Sequence, residues 1–274
     1  MKRNIKLVIA DVDRTLRMKG NPDIGDKTRK AFQQLHEQGV LLGIASGRPL
    51  WQSLETHYKE WNLGFQFDLI IGTNGGEIHD VRKDKKYEIN YLQPDDIKRI
   101  ITAMDHFDLN PFIYRDNYML ATRIDDLMRL SMHRNNSEVQ LINDLSDYWQ
   151  IPTGKILYRT ATGDDMIPVE AFGKTLENDT VCCFKTDVNL LEFQDRRNSK
   201  GSALKWYCEQ NNIPLDQVLA LGDAENDMAM LELAGWSVAV ANAMPVVKEM
   251  CDDVTEFDAA HDGAGDFLLK HLLD

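Results

Sequence analysis

Five short apolar runs frame this chain: KLVIA (6–10), VLLGIA (40–45), FDLIIG (67–72), QVLALG (217–222) and WSVAVA (236–241). Each is nearly continuous rather than alternating, the pattern of a strand covered on both faces. Amphipathic segments separate them. DKTRKAFQQLHEQG (26–39) carries Ala31, Phe32 and Leu35 at helical spacing with Gly39 as its stop, and PLWQSLETHYKEW (49–61) places Pro49 at a first helical position. KGSALKWYCEQNN, AENDMAMLELAG and MPVVKEMCD read as three further helices. Buried strands alternating with helices predict an α/β fold, a Rossmann-like doubly wound parallel sheet.

The texture changes in the middle. EIHDVRKDKKYEINYL (77–92) alternates at period two around a charged turn and reads as a β-hairpin. PDDIKRIITAMDHF is helical, PFIYRDNYMLATRI a strand pair, KILYRTA another strand, Asp164 to Leu176 a helix, and TVCCFKTDVNLLEFQ a second strand pair. This is the pattern of an inserted α+β domain. The expected division is a core of residues 1–84 and 192–274 with an insertion of 85–191.

Composition narrows the function classes. The formal net charge of −13 repels nucleic acid and acidic membranes, so neither is expected as a partner. No run approaches the ~18 apolar residues of a membrane span. The apolar stretch after Lys2, Arg3 and Lys6 is cut by Asp11, unlike a secretory leader. Four cysteines, with Cys182 and Cys183 adjacent and no C-x-x-C pair, suggest reduced core residues in a cytoplasmic protein.

The polar residues fall at the ends of the predicted strands. The first ends in Asp11 and Asp13, the second in Ser46-Gly47-Arg48, the third in Thr73-Asn74-Gly75-Gly76, and the first strand after the insertion in Gly222-Asp223, followed by Asn226 and Asp227. Taken singly, a carboxylate there is a helix cap and Gly75-Gly76 a turn. Together they deliver side chains to one crevice, because ligands of an open parallel sheet bind beyond its carboxyl ends. Asp11, Asp13 and Asp223 would crowd three carboxylates into one small volume, which a hard divalent cation relieves; an all-oxygen donor set suits Mg²⁺. Ser46, the backbone around Gly47 and a lysine could then hold a phosphate.

DVDRT (Asp11, Asp13, Thr15), ASGR (Ser46), NSKG (Lys200) and GDAENDMAML (Asp223, Asp227) resemble the four motifs of the haloacid dehalogenase superfamily. The insertion between the second and third motifs, with TNGG before it and AMPVVKEMCDDVT near the end, resembles the Cof-like sugar-phosphatase branch with a type IIB α+β cap. The resemblance spans essentially the whole chain. It implies a Mg²⁺-dependent phosphatase of small phosphorylated metabolites, sugar phosphates first, working as a monomer or homodimer.

Roles follow residue by residue. Asp11 would be the nucleophile that forms an aspartyl-phosphate. Asp13 would be general acid and then general base, and would lend its backbone carbonyl to Mg²⁺. Asp11 and Asp223 would complete the metal site, with Asp227 orienting the ligands from behind. Ser46, Gly47, Lys200 and Asn226 would bind the phosphoryl group. Thr15 is expected to fix the loop's backbone, and Asn74 is either a turn residue or part of the site. The cap would close the crevice and select the leaving group.

Arg14 departs from the glycine common in the family. It is read either as a solvated cation paired with Asp23 or Asp26, or as a contact to an anionic or hydroxylated part of the substrate. Two other functions remain open: a phosphomutase on sugar phosphates, and a catalytically silent regulator that binds a phosphorylated metabolite.

Overall fold

The computed structural model of the protein describes residues 4–18, 20–115 and 117–273. They form two units. One comprises the chain up to Tyr87 and from Ser199 onward; the other is Glu88–Asn198.

The strands, in chain order, are β1 (Leu7–Asp11), β2 (Leu41–Ala45), β3 (Leu69–Gly72), β4 (Glu77–Asp80), β5 (Lys85–Glu88), β6 (Phe112–Arg115), β7 (Tyr118–Ala121), β8 (Val139–Leu141), β9 (Lys155–Arg159), β10 (Val181–Asp187), β11 (Leu190–Asp195), β12 (Val218–Gly222), β13 (Trp236–Ala239) and β14 (Asp253–Val254). The first unit holds an eight-stranded sheet in the order β14-β13-β12-β1-β2-β3-β4-β5. Its strands β1, β2, β3, β12, β13 and β14 run parallel, and β4 turns back antiparallel on β3. All five residues of β1 are buried, as its unbroken apolar run requires. On the sheet's flank the helix Asp26–Glu37 buries Thr28, Ala31, Phe32 and Leu35 and ends before Gly39, whose φ of +77° suits its place just past the helix.

Because the parallel strands share one direction, the ends of β1, β2, β3 and β12 lie along one edge of the sheet. Two glycines let the neighbouring elements close on that edge. A Cβ on Gly75 (φ +103°) would stand 2.2 Å from the Ser199 carbonyl oxygen, and one on Gly201 would stand 2.2 Å from that of Ala229. The first contact ties the end of β3 to the start of the helix Lys200–Asn211; the second seats that helix on Met228–Leu233.

The second unit is a six-stranded sheet in the order β10-β11-β9-β6-β7-β8, antiparallel except for β7 with β8. Its core includes Ile97, Ile100, Ile156, Tyr158, Val181 and Phe193. The expected boundary at residues 191 and 192 falls inside β11, which stays in this sheet through Asp195.

The segment 49–61 is not one helix. Leu50–Leu54 makes a π-helical turn and His57–Glu60 a separate short helix. Strand β4 breaks the pattern, because the Glu77 carboxylate accepts from the Leu50 N–H at 2.8 Å and His79 lies 2.7 Å from Glu55. Likewise AENDMAMLELAG splits into a 3₁₀ turn, Glu225–Asp227, and the helix Met228–Leu233.

Candidate active site

Asp11 is the last residue of β1 and is buried. Its Oδ1 accepts from the Lys200 ammonium at 2.5 Å, and the same ammonium lies 2.5 Å from Asp227 Oδ1. Lys200 owes its place to the NSKG sequence. Ser199 caps the helix, its hydroxyl accepting from the Ser202 N–H at 2.9 Å, so Lys200 is the first helical residue and points back at the strand ends. It is completely buried, the opposite of a solvated helix-start lysine.

Asp223 follows β12. Its backbone N–H and that of Ala224 both donate to Asp227 Oδ2, at 3.0 and 3.1 Å. Asp227 thus spends one oxygen on the loop that carries Asp223 and the other on Lys200. Thr15 does more than shape its loop: its hydroxyl donates to Asp223 Oδ1 at 3.2 Å. Carboxyl oxygens of Asp11, Asp223 and Asp227 all lie within 4.8 Å of one another.

That crowding has an electrostatic cost. Burial pushes the Asp11 carboxyl up to about 8, with Asp227 and Asp223 adding to the rise and Lys200 opposing it. Burial, and then Asp227, push Asp223 up to about 6 against Arg14, Thr15 and Lys200. Burial works against the Lys200 charge, but Asp11 and Asp227 hold its ammonium above the ordinary lysine value. One lysine among three carboxylates leaves a surplus of buried negative charge. An all-oxygen cluster with that surplus fits a hard divalent cation.

Asp13 lies beside this cluster, and its side chain is occupied by two arginines. Oδ1 accepts from Arg17 Nε at 3.2 Å; Oδ2 accepts from Arg48 Nε at 3.0 Å and lies 2.8 Å from the second guanidinium nitrogen. Neither pairing stands out in the sequence, although Arg17 is four residues from Asp13 and Arg48 closes the ASGR motif.

The phosphate-binding candidates divide. Ser46 is buried after β2, with its hydroxyl accepting from the Arg48 N–H at 3.2 Å. Asn74 binds these loops together and is more than a turn residue. Its N–H donates to the Ser46 carbonyl at 3.1 Å, its side-chain oxygen accepts from Asn226 Nδ2 at 3.2 Å, and a Cβ on Gly47 would meet that same oxygen at 3.2 Å. Asn226 is exposed, and the hydrogen bond it makes goes to Asn74 rather than to the carboxylates.

Arg14 is not paired with Asp23 or Asp26. Both of those go to Arg29, at 2.9 and 2.5 Å, while Arg14 Nε lies 3.3 Å from Asp223 Oδ2.

The comparisons with known proteins agree with this architecture. A family model described as haloacid dehalogenase-like hydrolase matches residues 8–268, and the chain belongs to that family, in its Cof-like branch. Its enzyme class is that of the phosphoric monoester hydrolases its named relatives represent. The HMP-PP phosphatase of Cronobacter sakazakii is 29% identical, the match covering 86% of this chain and 84% of the relative. The 5-amino-6-(5-phospho-D-ribitylamino)uracil phosphatase YitU of Bacillus subtilis is 24% identical over 97% of both chains. The crystal structure of TM0651 from Thermotoga maritima matches with a TM-score of 0.87 at 25% identity, covering 98% of each chain. Among the described residues, no helix is long and apolar enough to cross a membrane.

Proposed function

We propose that the protein is a Mg²⁺-dependent phosphatase of small phosphorylated metabolites, sugar phosphates foremost, acting through an aspartyl-phosphate on Asp11. The observation that carries this reading is the convergence of Asp11, Asp223 and Asp227 within 4.8 Å, with the buried Lys200 bridging two of them. The names of the relatives support the substrate class, since YitU's substrate carries a phosphorylated ribityl chain.

Asp11 and Asp223, with the backbone carbonyl of Asp13, would hold the cation, whose charge would offset that of the phosphoryl oxygens and the carboxylates. In the first half-reaction an Asp11 oxygen bonds to phosphorus as the ester P–O bond breaks. The departing oxygen would take its proton from Asp13, once the partly exposed Arg48 has released Oδ2 and that oxygen has been protonated, with Arg17 still holding Oδ1. In the second, Asp13 removes a proton from water. That water bonds to phosphorus, the bond to Asp11 breaks, and inorganic phosphate leaves. Lys200, 2.5 Å from Asp11, is within reach of a phosphoryl oxygen held there and would balance its charge. Ser46 would supply a hydroxyl donor once it faces that group. The inserted unit, Glu88–Asn198, would contribute the choice of leaving group.

The test is release of phosphate from p-nitrophenyl phosphate and a panel of phosphorylated metabolites, with Mg²⁺ and with EDTA. Turnover should require Mg²⁺ and fall by at least a factor of about 10³ in Asp11→Asn. Undiminished hydrolysis in that variant, or no phosphate release by the wild type on any ester, would overturn the reading.

A further inference from the structure

Position 14 has a backbone that favours glycine and a side chain that does not belong there on steric grounds. Its φ is +75°, in the left-handed region where a long side chain is strained. The loop imposes that conformation from both sides. The Arg14 N–H donates to the Arg17 carbonyl at 2.5 Å, and the Arg14 carbonyl accepts from Asn242 Nδ2 at 2.8 Å. Asn242 is itself fixed, its side-chain oxygen accepting from the Ala259 N–H at 2.8 Å.

What the arginine gains is Asp223. The two oxygens of that carboxylate are divided: Oδ1 takes the Thr15 hydroxyl at 3.2 Å, and Oδ2 faces Arg14 Nε at 3.3 Å. Thr15 can rotate its hydroxyl and stay beside a metal-bound carboxylate. A guanidinium has no acceptor and carries a fixed positive charge, so it and a divalent cation repel each other at the same oxygen. The Arg14 side chain is 51% exposed, so it has room to leave.

We propose that Arg14 is a tethered counter-cation for Asp223 that competes with the divalent ion and must be displaced when the ion binds. The inference rests on the reading of Asp11 and Asp223 as metal ligands and adds to it a reason for the departure from glycine. The protein keeps its surplus negative charge partly neutralised while metal-free, and in return binds Mg²⁺ more weakly than a glycine-14 version would.

The measurement is Mg²⁺ affinity of EDTA-stripped protein by titration calorimetry, without substrate. Arg14→Gly and Arg14→Asn both accept the left-handed backbone and remove the charge, Arg14→Lys keeps it, and Asp223→Asn is the control for the site. Affinity should rise about fivefold in the glycine and asparagine variants, the upper end of what a half-exposed ion pair supplies, and stay near wild type in the lysine variant. Wild-type affinity in both neutral variants, with binding lost in Asp223→Asn, would overturn the role of Arg14 and leave the metal site standing. Binding unchanged by Asp223→Asn, or absent from the wild type, would overturn the metal site and the Arg14 proposal with it.

Discussion

Replacing Lys200 with methionine tests the electrostatics of the site most directly. Lys200 has no solvent contact and makes two charge-assisted bonds of 2.5 Å, to Asp11 and to Asp227. Methionine fills much the same volume, so packing is largely kept while the buried cation among three carboxylates disappears. Removing one member of a buried ion pair costs about 3–5 kcal/mol, because its partner is left uncompensated. For a unit of this size that is a fall in Tm of roughly 10 °C. The sign with pH follows from the carboxyls. Asp11 is raised to about 8 and Asp223 to about 6, so between the ordinary aspartate range and those values the folded protein binds more protons than the unfolded chain. Stability of the metal-free protein therefore falls as pH rises through that window. Without Lys200 to oppose the rise, the fall in the variant has much the same slope but continues above about pH 8, where that of the wild type levels off. The gap between the two proteins should be small near about pH 5, begin to open as pH passes about 6, and grow most above about pH 8, where the wild-type carboxyls are ionised and those of the variant still hold their protons. Thermal melts in EDTA across that range read it directly, and added Mg²⁺ should restore part of the loss in the variant. A variant within about 1 kcal/mol of wild type in EDTA at about pH 9, or a gap that does not change with pH, would refute the reasoning.

Two further outcomes are expected. Arg17→Ala leaves Asp13 with Arg48 alone, so kcat on p-nitrophenyl phosphate should drop about three- to tenfold with KM little changed, since positioning rather than binding is lost; an equal loss confined to KM would count against it. In the second unit, Lys155 donates to Glu192 at 3.1 Å and both are buried, so Lys155→Met should destabilise by about 3–5 kcal/mol while the double change Lys155→Met with Glu192→Leu recovers most of it; urea melts of both would show this.

The sheet was legible because parallel strands buried on both faces leave unbroken apolar runs, and β1, β2, β3, β12 and β13 each appear as one. Part of what escaped was decided by contacts distant in sequence. The helix Gly263–Leu268 arises from GAGDFL, a stretch whose two glycines argue against a helix, yet all six of its residues are buried and Gly265 lies against the backbone of Thr28, where a Cβ would stand 2.1 Å from the amide nitrogen. Close packing there outweighs a poor intrinsic propensity. The helix Asp126–Asn135 hides for the opposite reason. Its apolar stripe is thin, and the hydrogen bond from the Met128 N–H to its N-cap, Asp125, at 2.8 Å is local and resembles an ordinary turn.

The candidate site shows the same limit more sharply at position 14. The motif DVDRT places an arginine beside two aspartates, and nearness in sequence favours Asp23 or Asp26 as its partners. Those carboxylates are claimed by Arg29, which is anchored independently by donating to the Trp61 carbonyl at 2.8 Å, so its guanidinium is already beside them. In a chain with 44 acidic residues and 31 basic ones, an exposed cation meets several carboxylates, and Coulomb attraction in water discriminates poorly among them. Backbone geometry breaks the tie. A residue fixed at φ +75° between Arg17 and Asn242 sends its side chain toward the end of β12, where the carboxylate of Asp223 is also short of positive charge. The choice of partner therefore goes with the loop's conformation, which is set by contacts to residues 17 and 242 and cannot be read from nearness in sequence.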